Sequence, residues 1–216
     1  MKSFSVAILS FSVFLAACED PAANKARALT SDASSPAVNS QTGSISAKGE
    51  NLPITPDNSK VLFTGSKVTG KHDGGFSQFS GGIVLVNEKP EESSVKIDVE
   101  AGSVFTDADG LTKHLQTADF FLVRDFPRAS FVSTKIVPDP AGGANAYLVT
   151  GDLELRGVRK AVTFPATIVV NPSEVSVDSE FSINRKDFGI LYAGKADDLI
   201  RDDVVIRLAL NTARTK

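Results

Sequence analysis

The chain has 216 residues, one cysteine, no tryptophan and a formal charge of −3 from 23 basic and 26 acidic residues. A mildly acidic chain with scattered Lys and Arg argues against nucleic acid as a partner. A single cysteine excludes an intramolecular disulfide framework and a Cys-based metal site, so the folded part must be held by its core alone.

Lys2 is followed by an almost wholly apolar or Ser run from Phe4 to Ala17, and then by Cys18. The run is too short to span a bilayer, which needs about 20 residues, and reads as a secretory signal. Leu15-Ala16-Ala17-Cys18 has the form of a bacterial lipobox, which makes residues 1–17 a lipoprotein signal peptide and Cys18 the lipid-modified first residue of the mature chain. The expected location is the bacterial cell envelope, on the periplasmic side, lipid-anchored to the inner or outer membrane. Residues 18–56 carry no aromatic and little hydrophobic periodicity, so they are expected to form a flexible tether.

The folded domain is expected over 57–213, as a run of strands. Lys60 to Thr69 reads as the first strand, with Gly65 as a bulge or kink. Lys71-His72-Asp73-Gly74-Gly75 reads as a turn, and Phe76 to Glu88 as a strand interrupted at Gly81-Gly82. Ser94 to Glu100 alternates cleanly, with Val95, Ile97 and Val99 on one face. Leu111 to Phe131 is a Phe-rich segment opening with a short helix that Pro127 terminates, and a strand begins at Ala129. Tyr147 to Phe164 reads as a hairpin turning at Arg156-Gly157, with Leu155 opposite Val158 and Glu154 opposite Arg159. Lys160 then falls on an apolar face, which a bulge would relieve, and Pro165 marks a bend. Val175 to Ile183 and Val204 to Leu210 alternate, with a tight helical turn at Arg185 to Gly189 between them.

About eight strands with one or two short helices define an all-β domain, a closed antiparallel barrel or a two-sheet sandwich. The sequence holds no G-x-S-x-G, H-E-x-x-H, P-loop or G-x-G-x-x-G motif, and its two histidines lie 42 residues apart, so no catalytic residue and no metal ligand is assigned. Asp107-Ala108-Asp109-Gly110 lacks the acidic residues that would complete a calcium loop and reads as a solvated turn. Arg185, between apolar Ile183 and Phe188, is placed to reach a carboxylate such as Asp119 or a ligand head group. Eleven of the fourteen phenylalanines lie beyond residue 17, and they suit either a packed core or the wall of a hydrocarbon pocket.

Four motifs carry a family resemblance. They are His114-Leu115 with Asp119-Phe120-Phe121, Phe126-Pro127 and Phe131; His72 to Phe76 with Phe79-Ser80-Gly81; Thr150 to Leu153 with Arg156-Gly157-Val158; and Asn184 to Gly189. In this order the chain resembles the YceI-like lipid/polyisoprenoid-binding family over roughly residues 57–212. The resemblance implies an extended eight-stranded antiparallel, lipocalin-like barrel and a non-enzymatic carrier. Its ligand would be a polyisoprenoid, a quinone-type or another long-chain amphiphilic lipid. It implies no cofactor beyond the bound lipid, and a homodimer is left open. On that basis Phe63, Phe76, Phe79, Phe120, Phe121, Phe126, Phe131, Phe181 and Phe188 are candidates for the channel wall. His72, His114, Arg185 and Tyr192 are candidates for its polar end. The competing expectation is a solid-cored domain binding an envelope protein, with a lipid-modifying enzyme a third.

Overall fold

The computed structural model describes residues 20–33 and 49–214. The expected signal peptide, Cys18 and residues 34–48 of the expected tether lie outside the described residues. In chain order the strands are β1 (Ala26–Arg27), β2 (Leu29–Asp32), β3 (Glu50–Ile54), β4 (Ser59–Lys67), β5 (Gly70–Phe76), β6 (Phe79–Val86), β7 (Lys89–Glu100) and β8 (Val104–Thr106). Helix α1 (Asp109–Leu115) follows, then β9 (Arg128–Pro138), β10 (Ala146–Leu155), β11 (Val158–Val170), β12 (Glu174–Asn184), β13 (Gly194–Lys195), β14 (Asp198–Leu199) and β15 (Asp203–Ala213).

Thirteen strands form one sheet in the order β3-β6-β7-β9-β10-β11-β12-β15-β4-β5-β8, with β1 added to β12 and β2 to β11; β13 and β14 form a separate hairpin. The pairings are antiparallel except β1 with β12. The fold is all-β, as the alternation implied, and its sheet curls into an antiparallel half-barrel, as the resemblance implied. Eight strands undercounts it, because short strands such as β1, β2 and β8 have no hydrophobic period to read and join by main-chain pairing to edges already present. At the seam, the β5–β6 turn meets the β7–β8 turn through Ser77 N–H to Ser103 C=O at 3.1 Å and Glu100 N–H to Gln78 C=O at 3.0 Å.

Several local expectations shift. The first hairpin turns at Val68–Thr69, and His72 to Gly75 is strand, not turn. Gly74 and Gly75 are there because the wall is thin: a Cβ on Gly74 would meet Phe105 C=O at 2.5 Å, and one on Gly75 would meet Leu62 at 2.7 Å. Gly65 pairs with His72 in unbroken register, so it is no bulge. The Arg156-Gly157 turn forms as expected, with φ of 52° and 72°, and keeps Leu155 opposite Val158 and Glu154 opposite Arg159. Arg159 nonetheless reaches Asp152, at 2.6 Å. Lys160 needs no bulge, because its ammonium is met by Asp32 of β2 at 2.6 Å.

That last contact belongs to a larger correction. Residues 20–33 and 50–54 do not trail as a tether but join the sheet. Beyond Pro165, β11 pairs with β12 from Thr167↔Asp178 to Val170↔Val175. Before it the two strands part, and β2 pairs with β11 over Lys160–Thr163 while β1 pairs with β12 at Phe181 and Ser182. Pro165 has no N–H to offer a neighbouring strand, and Ser179 Oγ donates to its carbonyl at 2.5 Å. The N-terminal segment fills the wedge that opens there. Ala28 is buried in the core with Val162, Phe164, Phe181 and Ile183. Ion pairs hold the segment's flanks: Asp20–Arg201 at 3.3 Å, Lys25–Glu180 at 2.7 Å and Arg27–Asp203 at 3.2 Å.

One of these pairs sets a pH dependence. Hydrogen bonds from Lys25 and then Arg207 hold the Glu180 carboxyl below its ordinary value. A group depressed on folding stabilises fully above its unfolded titration range, about pH 4 to 5, and loses that contribution as pH falls through the depressed value. Amide exchange at Ala28 and Thr30 should therefore accelerate, relative to the β12–β15 ladder, when the pH is lowered from 7 to about 3. Glu180→Gln should already show the faster exchange at pH 7.

Candidate functional site behind the Phe-rich segment

The interior face of the sheet divides into three packed clusters. Leu52, Ile54, Phe79, Ile83, Leu85 and Val175 close one end. Val162, Phe164, Phe181, Ile183 and Phe188 occupy the middle. Val104, Leu115, Phe120 and Ile190 form the other end, with Phe63, Phe76, Phe121 and Ile200 against them. α1 opens the compact segment over this last end. Its Asp109 lies in the first turn and Lys113 and His114 in the last, the arrangement the helix dipole favours. Phe121 N–H bonds to Leu115 C=O at 3.0 Å and Phe126 N–H to Leu122 C=O at 2.9 Å, which folds the Phe-rich chain back over the barrel. The Arg156 guanidinium ties the segment down, bonding to Ala118 C=O at 2.8 Å and to Gly189 C=O.

Between the middle cluster and this cover lies a cavity of about 380 Å³. A smaller void of about 40 Å³, apolar in lining, sits deeper and shares Ile97, Phe131, Phe164 and Leu208 with it. Two aromatic groups stand in the main wall. Phe63, Phe76 and Phe121 meet at centroid distances of 5.9 and 5.7 Å near the cover. Phe131, Phe164 and Phe181 lie deeper, with Phe164 and Phe181 stacked at 4.2 Å. Aliphatic side chains of the alternating strands supply much of the rest, Val204, Ile206 and Leu208 among them.

The structure sorts the candidate residues cleanly. Phe63, His72, Phe76, Phe120, Phe121, Phe131, Phe181 and Arg185 line the cavity. Phe79, His114, Phe126, Phe188 and Tyr192 are not among its lining residues. Phe79 belongs to the closed end, and Phe188 is fully buried in the middle cluster, so both serve as core. Phe126 lays its ring over Gly157, where a Cβ would collide with it. His114 and Tyr192 form an edge-to-face group with Phe120, at 5.0 to 5.6 Å, and so brace the cover rather than face the lumen.

Polar lining gathers mainly at one end, in Ser66, Lys67, His72 and Arg185, with Ser130 elsewhere. Each histidine is held by its own carboxylate: His72 Nδ1 lies 2.8 Å from Asp107, and His114 Nε2 lies 2.7 Å from Asp119. The hydrogen bond to His72 is the main cause that lowers the Asp107 carboxyl below its ordinary value. Lys67 pairs with Asp198, and that contact dominates the lowering of the Asp198 carboxyl. Asp119 is therefore not the partner of Arg185. Buried Arg185 donates to the carbonyls of Ile190 at 2.8 Å, Arg201 at 3.1 Å and Ile200 at 3.4 Å, and reaches Asp202 at 3.3 Å. Burial lowers its pKa and Asp202 opposes that. Arg185 is thus the pin of the 190–202 loop. Arg185→Met should lower stability by about 2–4 kcal/mol, since three carbonyls lose a donor, and Arg185→Lys should recover only part of it. Asp202→Asn should change it by less than about 1 kcal/mol, the carboxylate being partly exposed. Urea midpoints of the three variants check the order.

Two lining features escape a reading for aromatic and polar residues. One is Gly65, whose missing side chain leaves open space, with no atom within 4 Å of where its Cβ would stand. The other is the aliphatic inner row of β15, which strict alternation does reveal.

The YceI-like domain model matches residues 52–212. A UPF0312 protein of Pseudomonas putida strain W619 is 32% identical over 139 residues, covering 62% of this chain and 71% of that protein. Another from Pseudomonas fluorescens strain Pf-5 is 34% identical over 124 residues, covering 54% and 63%. Among solved structures, Burkholderia cenocepacia BcnA superposes with a TM-score of 0.64 at 25% identity, over 73% of this chain and 98% of that one. A polyisoprenoid binding domain from Saccharophagus degradans superposes with a TM-score of 0.60 at 17% identity, over 78% and 100%, a likeness of fold. With the four motifs, the cavity behind the Phe-rich cover and a domain match over most of the described chain in agreement, the protein belongs to the YceI-like family.

Proposed function

We propose that this protein is a non-catalytic carrier that holds a long-chain isoprenoid, quinone-type or similar amphiphilic lipid in the cavity, with the tail among the phenylalanines and the head toward Lys67 and His72. The observation that carries this reading is the size and chemistry of the cavity. A void of about 380 Å³ falls in the range of small-molecule sites and far above the gaps of a packed core. Left empty, it would leave the atoms of its wall without packing partners on one side. Water is a poor filling, because each molecule needs two to four polar partners and the lining offers few. A hydrocarbon chain satisfies the wall. The binding named for the Saccharophagus degradans structure supports the same class of ligand.

In this reading the carrier is lipid-anchored through Cys18 on the periplasmic side of the envelope, and the leash is short. Asp20 is paired with Arg201 on the barrel, so no more than two residues separate the anchor from the folded surface. Organic extraction of protein purified from its own envelope, followed by mass spectrometry, should recover about one long-chain lipid per chain. Recovery of none, while a known lipid carrier treated alike retains its own, overturns the carrier and favours a protein-binding module.

A further inference from the structure

Six large apolar side chains stand exposed among the described residues. Half of them, Val68 at 55%, Leu191 at 65% and Leu199 at 49%, belong to the β4–β5 turn and the 190–201 loop. The two loops are bound together: Val68 N–H donates to Leu199 C=O at 3.2 Å, Arg201 N–H donates to Ser66 C=O at 2.9 Å, and Lys67 bridges Ile200. Ser66, Lys67, Ile190 and Ile200, in and beside these loops, line the cavity. Exposed leucines and a valine therefore stand at the end of the cavity where its polar lining gathers. Exposed Lys71 and Lys195 lie beside them, and so do the exposed carboxylates Asp73 and Asp197, with Asp107 on His72.

The chain enters the fold at the same place. Asp20 pairs with Arg201, the residue after Ile200. Cys18 lies two residues earlier, and two extended residues span at most about 7 Å. A lipid on Cys18 would hold this end of the barrel, and not the closed end at Leu52 and Ile83, against the bilayer. Three apolar side chains are too few to hold a soluble protein on a membrane, but they suffice to orient one already fastened there.

We propose that the loops bearing Val68, Leu191 and Leu199 form a rim that seats on a phospholipid surface, so that lipid passes between bilayer and cavity without crossing water. This rests on the proposed reading, on its lipid anchor at Cys18 for the docking and on its carrier role for the purpose. An apolar ligand with little solubility needs such a passage.

The test uses the full chain reconstituted in vesicles of phosphatidylethanolamine and phosphatidylglycerol containing a labelled polyprenol. Uptake of label and amide exchange of both loops are measured. Replacing Val68, Leu191 and Leu199 together by Ser should slow uptake at least tenfold and abolish vesicle-dependent protection of the loops, while leaving the amount of label held at saturation unchanged. Leu29→Ser with Val132→Ser, exposed apolar residues elsewhere, should alter neither. Equal uptake rates with no vesicle-dependent protection overturn the rim. Protection that needs no vesicles and grows with protein concentration assigns the rim to a second copy and overturns it equally. If the parent chain takes up no label yet its loops are protected by vesicles, the docking stands and the carrier reading falls.

Discussion

Gly65→Leu is expected to empty the barrel without weakening it. Gly65 sits mid-strand in β4, between Phe63 and Lys67 on the cavity side and directly opposite His72. It has no positive φ, and nothing stands within 4 Å of its absent Cβ. The backbone therefore does not ask for glycine there, and glycine is a poor strand residue, less favourable than a substituted one by about 0.5–1 kcal/mol. The space it leaves belongs to the lumen. A leucine would occupy that space, so bound lipid per chain should fall at least tenfold while the melting temperature holds or rises. Gly74→Ala, nine residues on, should do the reverse to stability. Its Cβ would meet Phe105 C=O at 2.5 Å and press on the Phe63 ring, and the strand would have to shift. Mass spectrometry of extracts and thermal melts of both variants read the contrast. A Gly65→Leu protein that keeps its full lipid would mean that the ligand does not use this part of the cavity.

The same residue shows how far the sequence could be read. Alternation is a rule about faces, and where one face is buried throughout it was sufficient: β12 and β15 run as expected, as does the turn at Arg156-Gly157. It says nothing about how tightly a given level of the barrel is packed. Phe79 and Phe63 both face inward, yet the first meets Leu52 and Ile83 in a packed end and the second borders open space. Phe188 comes from a 3-10 turn beneath β11 and fills the core outright. An isolated strand glycine usually marks a bulge, and only the unbroken register of Gly65 with His72 says otherwise. The place of the 20–33 segment is not legible in the sequence, for a different reason. Its strands are too short to carry a period, and what places them is a vacancy between two other strands, 128 residues away at the nearest pair.

That vacancy makes the N-terminal strands part of the cavity wall. Val162 and Phe164 of β11 and Phe181 and Ile183 of β12 all line the lumen, and they stand where those two strands have parted. The stacked rings of Phe164 and Phe181 span the gap from within, and Ala28 packs on them, 5% exposed. Ala28→Asp would place a carboxylate among these rings with no partner. Because the segment is short and near the chain's beginning, the fold can escape the penalty by releasing it. The loss is then capped at the free energy with which six paired residues dock, about 1–3 kcal/mol once ordering entropy is set against ladder bonds of about 1 kcal/mol each. For a domain of this size that lowers the melting temperature by only a few degrees, about 2–4 °C per kcal/mol. The larger effect should be on retention. With β1 and β2 displaced, the wall has a lateral slit beside its deepest aromatic pair, and bound lipid should leave at least tenfold faster. Amide exchange at Thr30 and at its partner Val162 should rise together while the β12–β15 ladder stays protected. Unchanged dissociation with that exchange pattern would show that the rings of Phe164 and Phe181 seal the wall by themselves.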